Sequence, residues 1–157
     1  SSIGSNCSIG QNVVIGPNVT IGKNVKIRNN VSVYEGVTLD DDVFCGPSCV
    51  FTNVINPRSE IIRKDEYKKT NVKKGATIGA NATIICGNNL GEYCLIAAGA
   101  VITKSVKPYA LMVGSPAKRA GWVSKAGGKL SKDMICPIDG TKYENIDDDQ
   151  IRPIKKI

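Results

Sequence analysis

The residues of this chain able to do chemistry are cations, amides and carboxylates, because it contains no histidine. An imidazole general base is therefore excluded. The commonest zinc ligand is also missing, and no Cys-x-x-Cys pair replaces it, so no metal site is expected. Basic residues gather at Arg58, Arg63, Lys64, Lys68, Lys69, Lys73 and Lys74, and again at Lys118 and Arg119. Two such clusters suit two polyphosphate ligands. An arginine fork also matches a carboxylate, to which it donates two parallel bonds. Taken singly, each lysine reads better as solvated surface. Glu35, in Val33-Tyr34-Glu35-Gly36, is a carboxylate able to orient an amino group or a hydroxyl, with a solvated strand residue as the alternative.

What must position these residues is a six-residue repeat. From Ile3 the chain reads IGSNCS, IGQNVV, IGPNVT, IGKNVK, IRNNVS, VYEGVT, LDDDVF, CGPSCV. It resumes as VKKGAT, IGANAT, IICGNN, LGEYCL, IAAGAV, ITKSVK. A helix near period 3.6 cannot keep this rhythm. The first position is Ile3, Ile9, Ile15, Ile21, Ile27, Val33, Leu39, Cys45 and Phe51, then Val72, Ile78, Ile84, Leu90, Ile96 and Ile102. The fourth is Asn or Gly in most hexads, and these residues tolerate the positive φ of a sharp corner. Each hexad is then a short strand plus a corner. Three hexads close a triangular coil, and coils stack at roughly 4.8 Å with the first-position side chains inside. The count predicts about three coils, a loop and about two more. The fold class is all-β, a parallel β-helix.

At 157 residues one domain is expected. Residues 1–107 form the β-helix, with 54–71 (VINPRSEIIRKDEYKKTN) inserted as a charged loop. A long insertion in a solenoid maps to one face and often serves function. Residues 108–157 form an appendage, with a short helix expected near Gly121–Ala126 and an irregular tail beyond. Cys7, Cys45, Cys49 and Cys94 fall on inward positions, where a free thiol packs as a small hydrophobe, while Cys86 and Cys136 lie outside that register. The sequons at Asn6, Asn18, Asn30 and Asn81 follow from the corner pattern without glycans. The formal charge of +7 lacks the aromatic interleaving and motifs of nucleic-acid binders, so no nucleic-acid partner is expected. No apolar run is long enough to span a membrane, and no signal peptide is read at the start. A cytoplasmic protein without a membrane partner is the expectation.

The stretch from Asn29 to Gly87, followed by YALMVGSPAKRAGW, resembles the bacterial and archaeal nucleotide-sugar N-acetyltransferases of the hexapeptide family. Within them it is most similar to the enzymes acting on UDP-2-acetamido-3-amino-2,3-dideoxy-D-glucuronate, whose extension CPIDGTKYE resembles. The likeness covers about residues 1–135. It implies a left-handed coil, a homotrimer, acetyl-CoA as donor, no metal, and active sites between neighbouring β-helices. It also implies a role in surface polysaccharide or lipopolysaccharide biosynthesis. Members commonly carry a further coil before the region matching Ser1. The resemblance points to Asn53, in Phe51-Thr52-Asn53, as the polar residue beside the reacting amine, with Glu35 second. Asn53 stands at the third position of its hexad, off the usual Asn corner. Asn56, Arg58, Arg63, Lys64 and Tyr67 are then candidates for diphosphate, uronate or base. Ala80, Ala98, Gly99, Pro116, Lys118 and Arg119 are candidates for acetyl-CoA, the small residues admitting the pantetheine arm to the backbone. Two other readings stay open: a dTDP-3-amino-3,6-dideoxyhexose N-acetyltransferase, and a non-catalytic β-helix scaffold for an acidic partner. A carbonic anhydrase on the same fold needs histidine ligands and fails.

Overall fold

The computed structural model describes residues 1–155. Short parallel strands stack into three faces, and partners on adjacent coils are 18 residues apart, as Ile9 opposite Ile27. The first face carries Ser2–Ile3, Thr20–Ile21, Val37–Leu39 and Thr70–Val72. The second carries Ser8–Ile9, Lys26–Ile27, Phe44–Cys45, Thr77–Ile78, Leu95–Ile96 and Ala110–Val113. The third carries Val14–Ile15 with Ser32–Val33, then Val50–Phe51, Thr83–Ile84 and Val101–Ile102. Across the inserted loop the step grows to 33 residues, as Cys45 opposite Ile78, yet the register is kept.

The corners explain the fourth position. Asn6, Asn12, Asn18, Asn24, Asn30 and Asn81 all have φ between 55 and 63°. Neighbouring corners are tied along the prism, Asn12 donating to Asn30 Oδ1 at 3.2 Å and Asn24 to Asp42 Oδ1 at 2.7 Å. Ser48 and Tyr93 turn the same corners at φ 58 and 53°, although neither type favours that conformation. Tyr93 is held there by stacking on Tyr109, ring centroids 5.8 Å apart, with the Lys125 ammonium over its ring at 5.1 Å from the centroid. The second position is often glycine because the next coil passes too close for a Cβ. One added at Gly79 would lie 2.5 Å from the Ala98 backbone nitrogen.

The inward side chains form one column from Val19 to Ala110, nearly all without solvent exposure. Cys45, Cys49 and Cys94 lie in it, and burial pushes the Cys94 thiol up to about 12. The first coil departs from the expected pattern. Ile3 and Ile9 are 48% and 42% exposed and Ile15 is half-buried, their described coil neighbours lying on one side, at Ile21, Ile27 and Val33.

Three boundaries differ from the sequence reading. The loop ends before Thr70, because Thr70 and Asn71 already pair with Val37 and Thr38. The parallel stack continues past residue 107, because Ala110–Val113 pairs with Leu95–Ile96. No helix forms near Gly121–Ala126. Lys118–Trp122 is instead a strand folded back antiparallel on Ala110–Val113, which satisfies the edge that a helix would leave open. The tail is also ordered: Tyr143–Asp147 and Gln150–Pro153 form an antiparallel hairpin over a small second core of Tyr109, Leu130, Cys136, Tyr143 and Ile151. Cys136 donates to Ser124 Oγ at 3.0 Å and accepts from the Ile138 and Asp139 amides, so this thiol is a structural node of that core.

Candidate functional site

The loop arches away from the corner after Val50–Phe51 and returns to it, Lys68 N donating to Asn53 O at 3.0 Å. Between loop and coil lies an open groove of about 680 Å³, within the size range of small-molecule sites. Asn53, Arg58, Arg63, Lys64 and Tyr67 line it, so five of the seven residues expected to contact substrate converge. Two do not. Asn56 is exposed on the loop outside the groove lining, and Glu35 is also absent from it.

The hydrogen bonds separate Asn53 from Glu35. The two stand one coil period apart at the same corner. Glu35 Oε1 accepts from Asn18 Nδ2 at 2.8 Å, which commits it to a corner ladder. The Asn53 side-chain amide has no hydrogen-bond partner among the described residues, so its donor and acceptor are both free at the groove wall. The cations differ too. Arg58 donates back to the Pro57 carbonyl at 3.0 Å. Arg63 holds Glu66 through one terminal nitrogen at 3.2 Å, while its Nε is buried without a partner. An orphaned buried guanidinium N–H is costly, and the Arg63 side chain that carries it also lines the groove.

The sequence reading missed Tyr34, which lines the groove one coil below Thr52 and is 43% exposed. Its signal was available, since it replaces the usual glycine at the second hexad position. Ile61 and Ile62 also line the groove, and nothing in their sequence context marks them.

The second residue set gathers at a different corner. Gly99 N donates to Ala80 O at 2.9 Å, which stacks the small residues, and Ala98 and Gly99 are exposed. A Cβ on Gly99 would meet nothing within 4 Å, so the backbone there is open to a ligand. Val101 N donates to Gly114 O and Ala117 N to Val101 O, which brings the segment of Pro116, Lys118 and Arg119 alongside. Arg119 lies opposite Met112, which lies opposite Ile96. The two sets flank the same face from opposite edges: the third face, with Val50, Thr83 and Val101, runs between them. None of Ala80, Ala98, Gly99, Pro116, Lys118 or Arg119 lines the groove. Among the described residues no group of three or more Cys, Asp or Glu is arranged to hold a metal ion.

The family described as bacterial transferase hexapeptide (six repeats) matches residues 1–34, and the hexapeptide repeat of succinyl-transferase matches residues 72–104. A dTDP-3-amino-3,6-dideoxy-alpha-D-galactopyranose 3-N-acetyltransferase from Aneurinibacillus thermoaerophilus is 40% identical over 86 residues, which is 53% of this chain and 44% of that protein. This hexapeptide-repeat chain spans less than half the length of the curated relatives it matches. Its fold is that of a galactoside acetyltransferase solved in complex with coenzyme A, with TM-score 0.69 and 22% identity over 79% of this chain and 66% of that one. A mutant perosamine N-acetyltransferase from Caulobacter crescentus, in complex with CoA and GDP-perosamine, gives TM-score 0.54 and 19% identity over 76% of this chain and 58% of that one.

Proposed function

We propose that the protein is an acetyl-CoA-dependent N-acetyltransferase acting on the 3-amino group of a nucleotide-linked amino sugar in surface polysaccharide biosynthesis. The observation that carries this reading is the pairing, in one groove, of an unengaged Asn53 amide with the Arg63 guanidinium. The amide can hold a neutral amine and the guanidinium an anionic oxygen of the same ligand.

The step needs little from the protein beyond positioning. The neutral sugar amine attacks the thioester carbonyl, and its lone pair forms the C–N bond. The tetrahedral intermediate collapses with loss of the CoA thiolate, and the proton shed by nitrogen ends on that sulfur. A sugar amine is less basic than a lysine, so a fair fraction is neutral near pH 7, and no histidine is required. Asn53 orients the amine. Ala80, Ala98 and Gly99 lie along the pantetheine arm, and Pro116, Lys118 and Arg119 lie at the nucleotide end of the donor.

The Arg63 guanidinium favours a uronate carboxylate, and hence UDP-2-acetamido-3-amino-2,3-dideoxy-glucuronate as substrate. The Aneurinibacillus relative favours a second reading, a dTDP-3-amino-3,6-dideoxyhexose, which has no carboxylate. Thiol release from acetyl-CoA with each sugar nucleotide decides between them. Arg63→Ala should raise KM for the uronate roughly 10- to 100-fold, the loss expected for a charged hydrogen bond of about 1.5–3 kcal/mol. No thiol release with either sugar would leave the scaffold reading standing.

The active assembly in this reading is a homotrimer of left-handed β-helices, each site built from the groove of one subunit and the small-residue corner of the next. Support comes from the separation of the two sets across the third face. The loop also exposes Ile55, Ile61 and Ile62, the last at 87%, which is a large apolar cost for a lone chain in water. Light scattering is expected to give three chains per particle, and a fully active monomer would overturn this arrangement.

A further inference from the structure

The cationic corner assigned to the donor is already occupied by a carboxylate of the same chain. The turn of the C-terminal hairpin carries Asp147, Asp148 and Asp149 in succession. Asp149 Oδ1 pairs with the Arg119 guanidinium, and its Oδ2 lies 3.8 Å from Lys107 Nζ. The turn is shaped to present it, since the Asp149 amide donates to Asp147 Oδ1 at 2.8 Å. Arg119 is fixed independently, its guanidinium carbon 4.2 Å from the Trp122 ring centroid.

We propose that Asp149 is a built-in competitor for the phosphates of the acyl donor, seated on Arg119 and Lys107 until a polyphosphate displaces it. This rests on the reading of Lys118 and Arg119 as the donor's phosphate seat. The contact is made to be exchanged. Its side chains are 33% and 59% exposed, and ion pairs in such positions are weak and screened. A phosphate offers more acceptor oxygens and more charge than one carboxylate. Trp122 keeps the guanidinium in place when Asp149 leaves, so the incoming phosphate meets a preorganised fork. Donor binding is then a swap of anions, and a hairpin 30 residues along the chain from Arg119 sets its strength. Ligands without phosphates escape the competition.

Calorimetric titration of CoA and of pantetheine into wild type, Asp149→Asn and Asp148→Asn at low salt tests this. Asp148 makes no ion pair among the described residues and reports the effect of turn charge alone. Asp149→Asn should tighten CoA about threefold to fivefold, the equivalent of one exposed ion pair. Asp148→Asn should tighten it less, and pantetheine affinity should not change. Unchanged or weaker CoA binding by Asp149→Asn, with wild type still binding CoA, would overturn the competition and leave the donor assignment intact. Equal tightening of pantetheine would overturn it as well. No CoA binding by any form would remove the donor assignment and the competitor together.

Discussion

Ile78→Asp is expected to abolish the cooperative fold. Ile78 has no solvent exposure and is stacked between Cys45 and Ile96 in the apolar column. An uncompensated carboxylate there costs several kcal/mol, even if it protonates to avoid the charge. A domain of this size has only about 5–15 kcal/mol to lose. Lys26→Asp, outward-facing beside Ile27, should move stability by no more than about 0.5 kcal/mol. Ile3→Asp is the informative third case. It occupies the same hexad position as Ile78 but is 48% exposed, so its effect should be small. Urea unfolding followed by circular dichroism reads all three. Similar midpoints for Ile78→Asp and Lys26→Asp would mean that the inward register is wrong.

The contrast between Ile3 and Ile78 shows what a repeat can and cannot tell. Period six fixes which side chains point inward, because it reports local geometry repeated coil after coil. Burial also depends on a neighbour above and below, and the hexad is silent on that. The C-terminal region was illegible for a related reason. Lys118–Trp122 lacks any strand period, and its strand is imposed by pairing with Ala110–Val113, a tertiary contact. The small core of Leu130, Cys136, Tyr143 and Ile151 draws on residues spaced without rhythm. Within the site, Asn53 was pointed to by the family resemblance, and its place off the Asn corner agreed with that. Tyr34 broke the second-position rule and went unread. The hydrogen bond that engages Glu35 could not be read from sequence, since it joins residues 17 apart on successive coils.

That bond shapes the kinetic prediction for the two candidate catalytic residues. Asn53→Ala should lower kcat roughly 100-fold, the loss typical of one well-placed polar group at a reacting centre. The residual rate should still rise with pH, because the ionisation that limits it belongs to the substrate amine. Glu35→Gln should leave both the rate and the pH profile close to wild type. Glutamine keeps an oxygen for Asn18 Nδ2, so the ladder survives, while any role as a base is removed. A protein base would behave otherwise, since deleting it flattens the corresponding limb of the profile. The measurement is kcat and kcat/KM against pH for wild type and both variants, with saturating acetyl-CoA. If Glu35→Gln erases the pH-dependent limb while Asn53→Ala leaves the rate untouched, the roles are reversed. Glu35 would then have to exchange its Asn18 bond for the substrate amine during turnover, and the free amide at Asn53 would be a feature of the groove wall alone.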